Sequence, residues 1–173
     1  VCMAESGLAY IAAPTEVGIP ILILHSWWGL TPSFTEYADN LAAQGFLAGS
    51  VDQYGGRLAR TPEEASLLRS VPRRVPMYRS MLAGIDELIA HPAASTNQVG
   101  IVGFSMGGHW AVWLAQRSDA HAGAVVIYYA TRAVTKVSPP VPVLAHFAET
   151  DPFVTPAGRR KMERSFARFG WPY

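Results

Sequence analysis

Strand-length apolar segments alternate with amphipathic segments along this chain. Four of them are apolar almost throughout: PILILH at 20–25, FLAGSVD at 46–52, QVGIVGFS at 98–105 and GAVVIYYA at 123–130. Strands that are apolar on both faces are typical of a parallel sheet with helices packed on both sides. The sequence therefore predicts an α/β fold with a mostly parallel sheet.

The other elements follow from helical spacing, capping residues and shorter apolar runs. Strands are also predicted in GLAYIAAP at 7–14 and PVPVLAHFAETD at 140–151. Helices are predicted in SFTEYADNLAAQG at 33–45, TPEEASLLRS at 61–70, YRSMLAGIDELIAHP at 78–92, MGGHWAVWLAQRS at 106–118 and TPAGRRKMERSFARFG at 155–170. Thr61 and Thr155 are predicted N-caps. No repeat or linker divides the chain, so we expect a single domain over residues 1–173.

Composition excludes several classes of partner. The net charge is +1 and only 16% of residues are charged, without a long run of one sign. This argues against nucleic-acid binding and against an electrostatic membrane surface. No apolar run approaches the roughly 18 residues that span a bilayer.

The single cysteine, Cys2, cannot form an internal disulfide, so a cytoplasmic location is the default expectation.

The segment VGIVGFSMGG at 99–108 contains the pattern G-x-S-x-G, with Ser105 between Gly103 and Gly107. A serine at a sharp strand-to-helix turn is held in a strained conformation, and its neighbours must lack side chains that would collide with the strand and the helix. The hydroxyl then projects above the carboxyl edge of the sheet, and the next amide points at a developing oxyanion. The pattern therefore predicts a nucleophilic serine.

These glycines have two alternative interpretations. A dinucleotide-binding turn is disfavoured, because GFSMGG lacks G-x-G-x-x-G and follows several earlier strands, whereas that motif normally opens its fold. The glycines could also serve only for close helix packing. That alternative stays open from the sequence alone.

A serine nucleophile in this architecture needs an acid and then a histidine later in the chain. Asp151 follows a predicted strand and is the candidate acid, although it could instead be a turn residue before Pro152; Glu149 is the rival acid. No histidine follows Asp151. His25 ends a strand beside the presumed site, but neither contact with substrate nor a role as the base is favoured for it. His91 and His121 are expected to face solvent. His109 follows the elbow too closely to reach Ser105, and His146 is expected at a core or sheet position.

The whole pattern resembles the dienelactone hydrolase family of α/β hydrolases. The resemblance rests on ILILHSWWGLTPSFTEYADNLAAQGFLAGSVDQYGG, VGIVGFSMGG and PVPVLAHFAETDPFVTP, and it extends over nearly the whole chain. It implies that Ser105 is the nucleophile and Asp151 the triad acid. It also implies that the backbone amides of Trp27 and Met106 are the oxyanion donors, with no metal or cofactor.

Two features depart from the family pattern. Well-known members carry cysteine at the elbow and glutamate in the oxyanion turn, where this chain has Ser105 and Ser26. This points to a general serine esterase rather than to dienelactone as substrate. In relatives, the segment like FARFGWPY leads to a last strand and a loop with the triad histidine. We therefore expect a C-terminally incomplete domain that lacks its last strand and helix, with the histidine beyond Tyr173.

The sequence thus favours a serine hydrolase of small carboxylic esters or lactones, acting as a monomer or homodimer. One alternative is a hydrolytically silent scaffold that binds ligands or assembles with other proteins, and another is acyl transfer to an acceptor other than water. Trp27, Trp28 and Phe153 could line an apolar pocket or simply pack loops over the sheet. Five arginines of the middle region could attract an anionic substrate or remain a solvated surface: Arg57, Arg60, Arg69, Arg73 and Arg74.

Overall fold

The computed structural model describes residues 7–70, 74–136 and 138–173, so Cys2 and Arg73 lie outside the described residues. The strands are β1 (Tyr10–Ala12), β2 (Pro20–Leu24), β3 (Leu47–Val51), β4 (Val99–Phe104), β5 (Ala122–Tyr128) and β6 (Val143–His146). The helices are α1 (Pro32–Ala43), α2 (Pro62–Ser70), α3 (Arg74–Ala90), α4 (Met106–Ala115) and α5 (Pro156–Phe169), with a short 3-10 helix at Ser118–Ala120. Every predicted strand and helix is present, although α3 begins four residues earlier than predicted.

The strands form one sheet in the order β1-β3-β2-β4-β5-β6. All neighbouring pairs are parallel except β1 and β3, which are antiparallel. Parallel neighbours need a crossover connection, and α1 supplies it between β2 and β3 and α4 between β4 and β5. The predicted α/β fold with a mostly parallel sheet is confirmed. β6 is one edge of the sheet, and α5 is the last element of the described residues.

Helices cover both faces of the sheet, as predicted. The alternation along β2 shows this, because Ile23 belongs to one core cluster and Leu22 and Leu24 to the other. Ile23 packs with Phe34 and Ala38 of α1. The opposite face is covered by apolar side chains of α3, α4 and α5: Met81, Ile85, Leu88, Ala111, Val112, Leu114, Met162 and Phe166.

The two central strands bring distant parts of the sequence to the same edge of the sheet. β2 and β4 run side by side and parallel, with Leu24 opposite Gly103. β2 leads directly into His25 and Ser26, and β4 leads into Ser105. The carboxyl ends of parallel strands are where open α/β sheets form their ligand sites. The turns after β2 and β4 therefore lie together at that edge.

None of the helices within the described ranges is both long enough and apolar enough to cross a bilayer.

Three helices begin with threonine followed by proline, and two of these threonines, Thr61 and Thr155, cap their helices through the side chain, as predicted. The Thr61 hydroxyl accepts a hydrogen bond from the Glu64 amide at 3.2 Å. The Thr155 hydroxyl accepts a hydrogen bond from the Gly158 amide at 3.1 Å, whereas Thr31, which precedes α1, makes no side-chain cap bond. Pro32 and Pro156 suit the first helical position because no hydrogen-bond donor is needed there. Thr155 and Thr31 thus form a matched pair that differs in the cap bond.

We expect Thr155→Ala to lower the free energy of unfolding by about 1 kcal/mol, because the Gly158 amide would lose its partner. Thr31→Ala, the matched control, would lower the free energy of unfolding by only a few tenths of that amount, since no cap bond is lost. Urea denaturation of both variants followed by circular dichroism checks this. Equal losses for the two variants would show that the Thr155 hydroxyl contributes nothing.

Candidate active site

Ser105 occupies the turn between β4 and α4 in a strained backbone conformation. Its φ is 53° and its ψ −113°, a combination that non-glycine residues rarely adopt. Such residues cost about 1–3 kcal/mol and persist only where the surrounding structure holds them. Here the Ser105 amide donates to the carbonyl oxygen of Tyr128 at 3.0 Å, which ties the turn to β5. This is the conformation that a strand-to-helix elbow requires.

The glycines on either side of Ser105 lie against backbone where no side chain fits. A Cβ on Gly107 would overlap the carbonyl oxygen of Leu24 and lie 2.6 Å from that of His25. A Cβ on Gly103 would overlap the Gly107 carbonyl group and lie 2.6 Å from the Cα of Gly108. The start of α4 therefore sits directly on the end of β2. This contact brings the elbow and the turn after β2 together.

Ser105 and the two predicted oxyanion donors line one cavity of about 710 Å³. Met106 is the first residue of α4, so its amide has no partner within the helix. The positive end of the helix dipole also lies there. Trp27 reaches the same cavity from the turn after β2. The arrangement places the Ser105 hydroxyl beside two backbone segments that can supply N–H donors.

The cavity wall is largely aromatic and apolar. Trp27 contacts Phe153 edge to face, with ring centroids 6.0 Å apart, and both line the cavity with Trp110. Trp28 packs on Trp27 at 5.3 Å but is not part of the wall. Of the two roles that the sequence left open, pocket lining applies to Trp27 and Phe153, and packing against a neighbouring loop residue applies to Trp28.

Of the five arginines that could attract an anion or remain a solvated surface, Arg69 lines the cavity. The Nε of Arg57 instead donates to the carbonyl oxygen of Tyr54 at 3.1 Å. The Arg60 side chain is exposed, and its backbone amide donates to Glu64. Arg73 and the side chain of Arg74 lie outside the described part of the structure. A cationic group therefore faces the same space as Ser105.

Asp151 organises the loop that carries Phe153. Its Oδ1 accepts hydrogen bonds from the amides of Phe153 at 2.7 Å and Val154 at 3.0 Å. Phe153 and Val154 in turn line the cavity, whereas Glu149 is exposed on the segment before this loop. Asp151 is thus a turn residue, as one reading of the sequence expected. That role uses one carboxylate oxygen and is compatible with a triad acid.

The histidines are spread over both edges of the sheet. His91 and His121 lie at the amino edge, because Ala94 bridges Gly18 ahead of β2 and His121 immediately precedes β5. His121 is exposed and His91 half-buried, so the expectation of two solvent-facing side chains was correct only for His121. His146 occupies a sheet position, one of the two kinds of position that the sequence favoured for it. This residue is exposed at the end of β6, where it stacks on Tyr128 at 4.6 Å.

His109 is the histidine that shares the cavity with Ser105. It lies one turn along α4, and its Nδ1 is 3.5 Å from the carbonyl oxygen of Thr131. Although the side chain is partly open to solvent, desolvation by the cavity wall, followed by the positive charge of Arg132, lowers the pKa of His109. The imidazole is therefore neutral near pH 7. Across the described ranges, no group of three or more His, Cys, Asp or Glu side chains is arranged to hold a metal ion.

His25 is fully buried, so it has no exposed surface with which to contact substrate. It belongs to a polar cluster behind the site that sequence reasoning missed, together with Asp52 and Tyr54. The Asp52 carboxylate accepts from the amides of Tyr54 at 2.8 Å and of Gly56, and the Tyr54 hydroxyl donates to the Met106 sulfur at 3.3 Å. The spacing of Asp52 and Gly56 in DQYGG is a turn signal that could have indicated this loop.

Asp52 is ionised within this cluster. Burial raises the pKa of Asp52, but its neighbours, among them the amides of Tyr54 and Gly56, lower it by more, so the pKa is lowered overall. Tyr54 is nearly enclosed, and burial is the main reason that its pKa rises to about 12. At neutral pH the Asp52 carboxylate is therefore negatively charged and the Tyr54 phenol is neutral.

Comparison with known proteins gives consistent results. The model of the dienelactone hydrolase family matches residues 8–173. The "Putative carboxymethylenebutenolidase" of Aquifex aeolicus is 30% identical over 154 residues, which cover 84% of this chain and 67% of the relative. The "Probable 2-oxo-3-(5-oxofuran-2-ylidene)propanoate lactonase" of Bradyrhizobium sp is 26% identical over 167 residues, covering 87% of this chain and 67% of the relative. The solved structure "m3DLH" shares the fold, with a TM-score of 0.76 and 24% identity over 90% of this chain and 68% of that one.

We expect Gly107→Ala to lower the free energy of unfolding by about 3 kcal/mol, because the new methyl group meets rigid backbone. Gly45→Ala is the control: Gly45 has a φ of 91° but open space around its Cβ position, so its cost is only backbone strain, about 1 kcal/mol. Urea denaturation of both variants measures the difference. A smaller loss for Gly107→Ala than for Gly45→Ala would contradict the close contact between α4 and β2.

Proposed function

Because this chain belongs to the dienelactone hydrolase family and is a carboxylic ester hydrolase, we propose that it cleaves small esters or lactones through an acyl-enzyme on Ser105. The observation that carries this proposal is the strained elbow. Ser105 is held at a positive φ beside the free amide end of α4, and it opens into a cavity large enough for a small molecule. Strain of this kind is typical of functional positions.

The reaction has two halves. In the first, the Ser105 Oγ attacks the carbonyl carbon while a histidine base takes the hydroxyl proton. The resulting tetrahedral intermediate collapses, the C–O bond to the leaving alcohol breaks, and the histidine returns the proton to that oxygen. In the second, water attacks the acyl-enzyme by the same sequence and releases the carboxylic acid and Ser105. For a lactone, the acid and the alcohol remain in one product.

The backbone amides of Trp27 and Met106 are the proposed donors to the oxyanion of both intermediates. Their position in the cavity wall and the helix dipole at Met106 support this role. Preorganised N–H donors of this kind act mainly on the transition state, because the charge develops only there. Each is worth about 10²–10³ in rate in comparable hydrolases.

The base is proposed to be a histidine that follows Tyr173 in the full-length protein, oriented by Asp151. His25 has both ring nitrogens engaged, and His91 and His121 lie at the opposite edge of the sheet. His109 reaches the cavity but is carried on α4 only four residues from the nucleophile, so it is better suited to contact substrate.

The cavity favours a substrate with an apolar acyl part and a negatively charged group. Trp27, Trp110 and Phe153 supply the apolar wall, and Arg69 supplies the positive charge. The names of the two curated relatives describe a butenolidase and a lactonase, which supports lactones as one substrate class. Family membership favours hydrolysis over a silent scaffold.

Acyl transfer to an acceptor other than water uses the same serine chemistry. It would be detected by adding alcohols or thiols, because part of the product would then be the ester or thioester of the added acceptor.

In the full-length protein, we expect Ser105→Ala to lower kcat for p-nitrophenyl acetate by about 10⁴-fold or more, because the nucleophile is lost. Ser118→Ala, an exposed serine near the amino edge of the sheet, is the control and would leave kcat unchanged. A fluorophosphonate probe would label the wild type and Ser118→Ala but not Ser105→Ala. Turnover in Ser105→Ala at the wild-type rate would refute the acyl-enzyme, and a wild type with neither turnover nor labelling would favour the silent scaffold.

The acid is tested by a matched pair of amide substitutions. Asp151→Asn keeps an oxygen acceptor for the Phe153 and Val154 amides but removes the charge, so we expect kcat to fall about 10⁴-fold with little change in melting temperature. Glu149→Gln, the rival acid, would change kcat less than twofold. Steady-state kinetics and thermal melts of the full-length variants measure both. The reverse ranking would make Glu149 the acid.

A further inference from the structure

A buried imidazole lies directly behind the turn that carries Trp27. His25 has no solvent-exposed surface, and it follows the last residue of β2. Its Nδ1 is 2.6 Å from the carbonyl oxygen of Ser26, and its Nε2 is 3.0 Å from the amide nitrogen of Gln53. The ring also packs edge to face on Tyr54, with centroids 5.1 Å apart. His25 therefore links the turn after β2 to the loop after β3.

The partners of the ring decide where its proton lies. A backbone amide can only donate, so the Gln53 N–H requires Nε2 to be the acceptor. In a neutral imidazole the other nitrogen then carries the proton, and Nδ1–H donates to the Ser26 carbonyl. The Asp52 Oδ1 lies 3.7 Å from Nε2, which is too long for a hydrogen bond. Both ring nitrogens are thus satisfied in one tautomer.

The Ser26 carbonyl and the Trp27 amide belong to the same peptide unit. The unit is planar, and in the trans form its C=O and N–H point in opposite directions. The Ser26 oxygen accepts from His25 Nδ1 and, at 3.2 Å, from the amide of Gly29. With the oxygen held from behind, the Trp27 N–H is turned away from His25. Rotation of this peptide unit would break both hydrogen bonds to the Ser26 oxygen and would turn the Trp27 N–H to a different direction.

We propose that His25 is a positioning residue of the oxyanion hole, whose Nδ1–H holds the Ser26–Trp27 peptide so that the Trp27 amide faces the reacting carbonyl. This inference rests on the proposed function, because it needs the Trp27 amide to be an oxyanion donor. His25 touches no substrate and exchanges no proton during the reaction. Donation to the Ser26 oxygen also polarises the peptide, which makes its N–H a stronger donor.

Three substitutions separate the hydrogen bond from simple packing. His25→Asn places an amide nitrogen near the position of Nδ1 and retains the donor to Ser26. His25→Gln places its amide near Nε2 and loses that donor, and His25→Leu fills much of the space with no polar group. We expect kcat to fall about 10²–10³-fold in the Gln and Leu variants with KM within about twofold, and less than tenfold in the Asn variant.

A second measurement compares binding of a transition-state mimic with binding of a ground-state ligand. An alkyl trifluoromethyl ketone forms a tetrahedral adduct on a nucleophilic serine, and its oxyanion would occupy the hole. Its affinity would fall in parallel with kcat in the Gln and Leu variants, whereas the affinity of the corresponding unreactive alkyl amide would not change. A role of His25 in packing alone would not produce this split.

The results that would overturn the role of His25 differ from those that would overturn the proposed function. If Ser105 is required and labelled but the Gln and Leu variants keep wild-type kcat, only the role of His25 is overturned. Equal losses in all three variants would also overturn it, since the Asn variant keeps the donor. If the variants do not fold, ¹H–¹⁵N NMR of the wild-type imidazole still decides: a proton on Nδ1 is expected, and one on Nε2 would refute the inference.

Discussion

The contact between the start of α4 and the end of β2 is the constraint on which the site depends. Gly107 packs on the carbonyl groups of Leu24 and His25 with no room for a side chain. This contact fixes the strained turn at Ser105 on one side and the turn with Trp27 on the other. Close packing around both turns offsets the backbone cost of the elbow, so the strain at Ser105 can persist in the native state.

Behind this contact lies a small layer of polar side chains. His25, Asp52 and Tyr54 are joined to backbone amides and to the Met106 sulfur, and the layer connects the turns after β2, β3 and β4. Buried polar groups are tolerated when each has its partner, and such networks specify one arrangement more sharply than apolar side chains do. The layer thus accounts for how three separate loops take up fixed relative positions.

The features that could be read from the sequence are those with a local signal. The sheet and its helices follow from apolar runs and capping residues, and the elbow follows from the spacing of Gly103, Ser105 and Gly107. The role of His25 could not be read in this way, because it depends on Gln53, which approaches only in the folded sheet. The exposure of His146 could not be read for a similar reason, because burial of a strand end depends on what packs over it.

The order of the central strands has a consequence for how the site comes into existence. Trp27 and Ser105 adjoin because β2 and β4 are neighbours, yet β3, α2 and α3 all lie between them in the chain. Contacts of such long sequence separation form slowly, since the intervening chain must first lose its freedom. A nascent chain that ends just after the turn with Trp27 does not yet contain Ser105. The arrangement of Trp27 beside Ser105 is therefore absent from every folding intermediate in which β2 and β4 have not yet paired.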